Sequence, residues 1–293
     1  MVELDVRDLA LMPRDEESRA KQRLEEPLSA QNTELRRFEV ENLKIEIYPT
    51  RAEAGAAAAR MAADELKKLT QDSHAIGVIF ATGASQLETL RTLRTMPGLP
   101  WDRVQGFHMD EYVGLAPEHP ASFRHYMRKN LISHVSMRSF REVDGSAVDP
   151  DLECRQYARE LRAANPQLCL LGIGENGHLA FSDPGVADFS DPLDVKIVDL
   201  DHECKQQQVA EGWFPGIDDV PARAITLTIP ALLRVPKLIV SVPGPRKAAI
   251  VRRTLEEEIS TACPATILRR HRNATVFLDN ESASQLASAG LGA

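Results

Sequence analysis

The amino-acid sequence predicts an α/β fold: a doubly wound, mainly parallel sheet with helices on both faces, formed by a single domain. Three observations predict it. Continuous apolar runs of strand length recur along the chain, as expected for strands buried on both faces. Stretches with helical periodicity separate these runs, and alternating strands and helices form a parallel sheet. The chain contains no linker-like Gly/Ser tract and no internal repeat, which favours one domain over two.

The chain begins with a segment that is dense in charge, poor in aliphatic side chains and interrupted by Pro13 and Pro27. Because such a segment has little apolar surface to bury, we expect an N-terminal extension at residues 1–38. The α/β domain is expected to occupy residues 39–293.

The first predicted strand and helix follow this extension. Leu43, Ile45 and Ile47 alternate as on one face of a strand. Thr50, with Glu53 three residues later, is typical of a capping box. A helix is therefore predicted from Thr50 to about residue 70.

Six further apolar runs of strand length predict the rest of the sheet, each bounded by turn residues or by a helical stretch. They occupy residues 75–81, 104–107, 168–173, 224–229, 237–242 and 274–278. Right-handed crossovers between parallel strands give the Rossmann-like arrangement.

The composition excludes several classes of partner. The 293 residues include 35 Lys and Arg against 43 Asp and Glu, a formal net charge of -8. An acidic chain lacks the basic face that binds nucleic acid or an anionic membrane, so neither is expected as a partner. No apolar stretch approaches the roughly 18 residues of a membrane span, and the acidic N-terminus suits no secretory peptide, so we expect a cytoplasmic protein.

Polar clusters follow four of the predicted strands, where ligands bind in an open parallel sheet. The clusters are Thr82, Gly83, Ala84 and Ser85; Asp110 and Glu111; Asn176, Gly177 and His178 with Asp183; and a Gly-Pro segment that leads to Lys247. The sequence therefore predicts a ligand site at this edge of the sheet.

Two of these clusters are suited to a phosphate. The small-residue loop at 82–85 precedes a helix, and backbone N–H groups at a helix N-terminus bind anions. An ordinary turn capped by Ser85 has the same pattern, so both interpretations stay open. Lys247 would either add a point charge to the phosphate or be solvated.

The other two clusters are suited to acid–base chemistry. Partial burial of Asp110 or Glu111 would raise its pKa and make it a base, although either carboxylate could instead cap the following helix. A loop between His178 and Asp183 could return the carboxylate to the imidazole and select its tautomer. A lone His is otherwise more often structural.

Neither a metal nor a disulfide is expected. The four cysteines (Cys154, Cys169, Cys204 and Cys263) are widely spaced, and a chain of this length needs no disulfide, so reduced thiols are predicted. Residues 201–204 read Asp-His-Glu-Cys, but adjacent residues do not face one centre. We therefore predict that this segment binds no metal.

Three strings resemble the glucosamine-6-phosphate deaminase (isomerase) family. They are FHMDEYVGL at 107–115, followed by EHPASF at 118–123, and GIGENGHLAFSDP at 172–184. The resemblance extends more loosely from about residue 40 to 280. The related 6-phosphogluconolactonases share the fold but usually have Arg where this chain has Tyr112.

The resemblance implies an enzyme that converts an amino-sugar phosphate to fructose 6-phosphate and ammonia, without a metal or organic cofactor. His178 would move a proton to and from the ring oxygen, and Asp183 and Asn176 would orient it. Asp110 would take the proton from C2. The family commonly has Glu at the position of Asp183.

The resemblance also implies the substrate-binding residues. The loop at 82–85, Glu111, Gly177 and Lys247 would contact the substrate. An Arg that helps hold the phosphate in many members has no clear match, and the segment 206–208 with Gln208 falls there, beside Lys205.

Two alternatives stay open from the sequence. One is a lactonase that acts on a sugar-acid phosphate, and the other is a sugar-phosphate-sensing domain without catalysis. The expected partner is in each case a small sugar phosphate, and a homo-oligomer is possible.

Overall fold

A computed structural model describes residues 35–286, which contain eleven strands and seven α-helices. The strands are β1 (Arg36–Val40), β2 (Leu43–Tyr48), β3 (Ile76–Phe80), β4 (Val104–His108), β5 (Asp110–Tyr112), β6 (Ser139–Arg141), β7 (Leu168–Leu171), β8 (Val195–Asp199), β9 (Arg223–Leu227), β10 (Lys237–Ser241) and β11 (Ala274–Asp279). The helices are α1 (Arg51–Leu69), α2 (Leu87–Thr95), α3 (Phe123–Asn130), α4 (Pro150–Ala164), α5 (His202–Ala210), α6 (Ile229–Leu233) and α7 (Ala248–Glu256). Within the described range, no helix is both long and apolar enough to span a bilayer.

The mainly parallel sheet predicted from the sequence is confirmed. Eight strands lie in the order β1-β2-β11-β10-β7-β3-β4-β6, and every neighbouring pair except β1 with β2 is parallel. From β3 the chain adds strands toward one edge, and from β7 it adds them toward the other. The strand order therefore reverses between β3 and β7, where an open α/β sheet binds its ligand.

Helices cover both faces of this sheet, as the doubly wound prediction requires. Successive side chains of β3 alternate between two cores. Val78 and Phe80 pack in the core that includes residues of α1, α2 and α3. Ile79 packs in the opposite core, which includes residues of α4, α6 and α7.

A second, antiparallel sheet departs from the prediction. The run at 224–229 was predicted as a strand of the parallel sheet, but β9 lies instead between β5 and β8, antiparallel to both. The apolar run predicts a buried strand and carries no information about which sheet the strand joins. This small sheet places Asp110 at the first position of β5, directly after β4.

The parallel sheet includes part of the predicted N-terminal extension. Strand β1 pairs with β2 from Arg36 to Val40, so residues 36–38 belong to the sheet and the predicted boundary at residue 38 is too late by these three. Residues 1–34 lie outside the described part of the chain, and their assignment to an extension stays a prediction.

The predicted start of α1 is confirmed. Thr50 is the N-cap, its side chain accepts a hydrogen bond from the backbone N–H of Glu53, and the Glu53 carboxylate accepts one from the N–H of Thr50. This reciprocal pair satisfies two N–H groups that would otherwise have no partner within the helix.

Replacing Thr50 with Ala should lower the free energy of unfolding by about 1 kcal/mol, because the N-cap hydrogen bond is lost. Urea unfolding followed by circular dichroism measures the change. Thr50→Ser keeps the hydroxyl and is the matched control. Equal midpoints for the Ala and Ser variants would contradict this account of the cap.

Candidate active site

The carboxyl ends of β10, β7, β3 and β4, which are adjacent strands, open into one cleft. The cleft measures about 770 Å³ including its opening to solvent. Eight of the residues singled out in the sequence line it: Thr82, Gly83, Ala84, Ser85, Asp110, His178, Gln208 and Lys247. Five others, Glu111, Asn176, Gly177, Asp183 and Lys205, lie outside its lining. The structure thus brings all four predicted clusters to the cleft, but not every member of each.

The loop after β3 turns at Gly83, whose φ of 92° is a left-handed conformation that favours glycine. A short 3-10 helix (Ala84–Gln86) follows and runs into α2. The N-cap residues here are Gly83 and Gln86, neither of which makes a side-chain cap, so the alternative of a turn capped by Ser85 is not observed. The carbonyl of Gly83 accepts a hydrogen bond from the Tyr126 hydroxyl, 2.8 Å away, which holds the turn at the cleft.

Asp110 is a buried carboxylate that lines the cleft. Its side chain is 6% exposed, and its Oδ1 has no hydrogen-bond partner within residues 35–286. Burial, with the negative charge of Glu111 beside it, holds the pKa of Asp110 well above its ordinary value. A raised pKa makes this carboxylate a stronger base than an exposed Asp.

Glu111 does not line the cleft and makes contacts that stabilise the fold, while its predicted role in substrate binding stays a prediction. Its carboxylate is fully buried and accepts hydrogen bonds from the backbone N–H groups of Phe123 and Arg124 and from the Ser122 hydroxyl, at the start of α3. The guanidinium of Arg124 lies 3.3 Å away. The sequence left open that one of the two carboxylates caps the next helix, and Glu111 is that one.

His178 stands on the loop after β7, and a carboxylate from the same loop lies against it. Nδ1 of His178 is 2.9 Å from Oδ1 of Asp183, although the N–H does not point squarely at the oxygen. Asn176 donates from Nδ2 to the same oxygen and accepts the backbone N–H of His178. Because this contact uses Nδ1, Nε2 is the ring nitrogen left for a ligand.

Asp183 stays ionised beside the imidazole. Burial raises its pKa, but the contacts with His178 and Asn176 outweigh burial and hold the pKa below its ordinary value. Where the related family commonly has Glu, the shorter Asp183 reaches His178 directly, without an intervening water.

Two glycines shape this loop in different ways. Gly177 has a φ of 93°, and an added Cβ would lie 3.0 Å from the sulfur of Cys263. Gly177 shapes the loop and does not line the cleft, and its role in substrate binding stays a prediction. Gly174 lies under the imidazole: a Cβ there would be 2.2 Å from Nε2 of His178. The ring keeps its position because residue 174 has no side chain.

Lys247, from the segment after β10, and Gln208, from α5, both line the cleft. Lys247 is 8% exposed and donates from Nζ to the carbonyl of Ile173. Burial lowers its pKa, while the charges of Glu175 and Glu211 oppose that shift. Gln208 accepts a hydrogen bond from the buried Tyr112 hydroxyl, 2.8 Å away.

Lys205 does not line the cleft, in contrast to its predicted role in substrate binding. It stands on α5, the helix that also carries Gln208 and Gln207, and those two glutamines form part of the cleft wall. Lys205 is three residues from Gln208, and residues at this spacing share a helix face. Spacing therefore predicts that both side chains line the cleft, but only that of Gln208 does.

The sequence did not indicate three lining residues: Tyr126, Glu211 and Trp213. Glu211 accepts hydrogen bonds from Gln207 and from the indole of Trp213, which orders the wall after α5. Tyr126 is 43 residues from the Gly83 carbonyl that it binds, and no local pattern indicates such a contact.

Replacing Gly174 with Ala should displace the His178 ring and lower the free energy of unfolding by about 1–3 kcal/mol, the usual cost of overpacking. The ring NMR signals of His178 and a urea titration measure both effects. Gly185→Ala is the matched control, since a Cβ at Gly185 meets nothing within 4 Å. The account fails if the two variants unfold at the same urea concentration with unshifted His178 signals.

The chain matches the family described as glucosamine-6-phosphate isomerases/6-phosphogluconolactonase over residues 49–277. It is 35% identical to a glucosamine-6-phosphate deaminase of Geobacillus sp. (strain WCH70) over 211 residues, which cover 70% of this chain and 82% of that protein. A glucosamine-6-phosphate deaminase of Bacillus thuringiensis (strain Al Hakam) is 36% identical over 221 residues, 75% of this chain and 81% of that one.

Solved structures agree with this assignment. A monomeric glucosamine-6-phosphate deaminase aligns with a TM-score of 0.75 at 30% identity and covers 83% of this chain and 99% of its own. The 6-phosphogluconolactonase of Trypanosoma brucei aligns with a TM-score of 0.69 at 20% identity, covers 83% and 98%, and shares the fold. The chain belongs to the glucosamine-6-phosphate isomerase/6-phosphogluconolactonase family.

Proposed function

We propose that the chain is a glucosamine-6-phosphate deaminase, which converts glucosamine 6-phosphate and water to fructose 6-phosphate and ammonia. The observation that carries the proposal is that Asp110 and His178, from β5 and from the loop after β7, line one cleft. Relatives more than 30% identical to this chain bear the name of this activity. A base and a proton shuttle on one ligand are what the reaction requires.

His178 opens the sugar ring. Nε2 takes the proton of the anomeric hydroxyl and returns a proton to the ring oxygen, so the C1–O5 bond breaks and C1 becomes an aldehyde. Asp183 beside Nδ1 stabilises the positive imidazolium that forms between these two transfers. The low pKa of Asp183 supports this role, since the carboxylate keeps its charge.

Asp110 then takes the proton from C2. The electron pair of the C2–H bond forms a double bond between C1 and C2, the aldehyde oxygen gains a proton, and an enolamine results. The raised pKa of Asp110 supports its role as this base, because it brings the carboxylate closer to the pKa range of an efficient catalyst.

Ammonia leaves after the proton returns at C1. The nitrogen on C2 becomes an iminium, water adds to C2, and the C–N bond breaks to give the ketone of fructose 6-phosphate. Atoms balance with one water consumed and one ammonia released. Donors near C1 must also stabilise the enolamine, since proton transfer alone supplies only about 10²–10⁴-fold.

The substrate phosphate would bind at the loop 82–85 and Lys247. Ala84 and Ser85 begin a helical segment, where backbone N–H groups have no partner within the helix. Lys247 is the last residue of a short 3-10 helix that follows β10, and it lines the same cleft. Gln208 supplies a neutral amide where the sequence resemblance implies an Arg in many members.

The lactonase and the non-catalytic sensor are less favoured. The lactonase structures of Thermotoga maritima and Trypanosoma brucei are 21% and 20% identical to this chain, and similarity at that level extends to the fold alone. A sensor has no need for a paired imidazole and carboxylate beside the same cleft as a buried Asp whose Oδ1 has no partner among residues 35–286. Release of ammonia distinguishes the deaminase from both.

Asp110→Asn should reduce ammonia release from glucosamine 6-phosphate by about 10²–10⁴-fold, because the amide cannot accept the C2 proton. Exchange of the C2 proton in deuterium oxide, followed by NMR, should be lost in parallel. Asp102→Asn, an exposed carboxylate outside the cleft, is the control and should retain both. Undiminished C2 exchange in Asp110→Asn would show that another group is the base.

Lys247→Met should raise KM for glucosamine 6-phosphate about tenfold or more, since a hydrogen bond to a charged group contributes about 1.5–3 kcal/mol. Inhibition by inorganic phosphate should weaken by a similar factor. Arg246→Met is the matched control: Arg246 is adjacent but pairs with Glu175 and does not line the cleft. If both variants change KM equally, Lys247 is not a specific phosphate contact.

A further inference from the structure

A third side chain joins His178 and Asp183 below the cleft. A ring nitrogen of His178, a carboxylate oxygen of Asp183 and Sγ of Cys204 all lie within 4.8 Å of one another. Nδ1 is the nitrogen that lies 2.9 Å from Asp183. Cys204 and Asp183 are each 1% exposed. The proposed mechanism uses the imidazole and the carboxylate but gives the thiol no role.

The cluster contains polar atoms without directed hydrogen bonds. Oδ2 of Asp183 and Nδ1 of His178 are both buried, and neither makes one within the described part of the chain. A buried carboxylate oxygen without a partner is costly, and such sites often hold an unobserved water or ion. The cluster therefore groups an imidazole nitrogen, a thiol and a carboxylate, and Oδ2 of that carboxylate has no hydrogen-bond partner among residues 35–286.

The three ligand types match the preferences of zinc and related ions. Imidazole nitrogen, thiolate sulfur and carboxylate oxygen are the groups that bind Zn²⁺ in proteins. Tetrahedral bonds of about 2.0–2.3 Å place the ligand atoms about 3.3–3.8 Å apart. The nitrogen and oxygen here are 2.9 Å apart and no separation exceeds 4.8 Å, so shifts of about an ångström would complete the geometry.

The sequence did not indicate this cluster because its members come from separate segments. Cys204 stands in the first turn of α5, whose N-cap is Asp201. The carboxylate of Asp201 accepts the backbone N–H of Cys204 and is thus used as a cap. Cys204 belongs to the segment 201–204, but its partners in the cluster are two side chains from the loop after β7.

We propose that His178, Asp183 and Cys204 form a binding site for a thiophilic divalent cation of the zinc class, and that its occupancy inhibits the enzyme. The His178 side chain is 14% exposed and lines the cleft, which gives the ion a path and leaves its fourth position to a water. On binding, the Cys204 thiol loses its proton to solvent, and Nδ1 donates its lone pair to the ion.

Inhibition follows from the electron pairs that the ion uses. With Nδ1 bound to the metal, the imidazole proton resides on Nε2, so Nε2 has no lone pair to accept the anomeric proton. Asp183 would at the same time lose its contact with the ring. This inhibition rests on the proposed role of His178, whereas the binding itself does not.

Titration of the full chain with Co²⁺ tests binding directly, since cobalt bound to a thiolate gives a charge-transfer absorption. We expect one ion per chain and this band in the wild type, and loss of the band in Cys204→Ser, whose hydroxyl is a poor ligand. In Cys204→Ser the affinity for Co²⁺ should fall at least as much as on loss of an outer-shell partner, which costs about 10–100-fold. Cys169→Ser, a buried cysteine in β7, is the matched control and should keep the band.

A wild-type protein without the cobalt band, or a band that persists in Cys204→Ser, would overturn the proposed site. Cys204→Ala, checked for folding by circular dichroism, gives the same comparison if the Ser variant does not fold. Zn²⁺ should inhibit ammonia release by the wild type and by Cys169→Ser but not by Cys204→Ser, and a chelator should restore the activity.

Failure of the two proposals is distinguishable. A cobalt band in a protein that releases no ammonia would leave the metal site standing and overturn the deaminase. Full ammonia release with the site occupied would overturn inhibition by the ion.

Discussion

Backbone pairing among the four central strands is the constraint on which the site depends. Parallel pairing of β10 with β7, β7 with β3, and β3 with β4 brings four carboxyl ends to one edge in adjacent positions. Each strand contributes a loop, and the cleft forms where these loops meet. Residues as distant in sequence as Thr82 and Lys247 line one cleft because the sheet places the strands before them close together.

Two consecutive buried carboxylates differ in their hydrogen-bond partners, and this difference separates a structural residue from a candidate base. Asp110 and Glu111 are both buried on one short strand, where successive side chains point to opposite faces. Glu111 receives hydrogen bonds from the start of α3 and the charge of Arg124, so its negative charge is compensated. Among the described residues Asp110 receives no such compensation at Oδ1, and its pKa is raised. The unpaired member of the pair is the one that faces the cleft.

Much of the fold was predictable because apolar runs and capping residues are patterns that short stretches of sequence contain. The parallel strands, the capping box at Thr50 and the grouping of polar residues after the strands all follow from short-range patterns. The antiparallel sheet was not predicted, since β5 has only three residues and leaves no periodic signal. Contacts such as Tyr112 with Gln208, or Cys204 with Asp183, join segments whose separation in sequence gives no indication of proximity.

The turn at Gly83 has a consequence for how this wall of the cleft evolves. If this loop binds the substrate phosphate as proposed, its donors are main-chain N–H groups, which are the same whichever small residues occupy positions 84 and 85. The side chains at those two positions would then be free to change without loss of the donors. The lasting trace in a comparison of descendants would be a glycine at position 83, whose dihedral angle other residues rarely adopt.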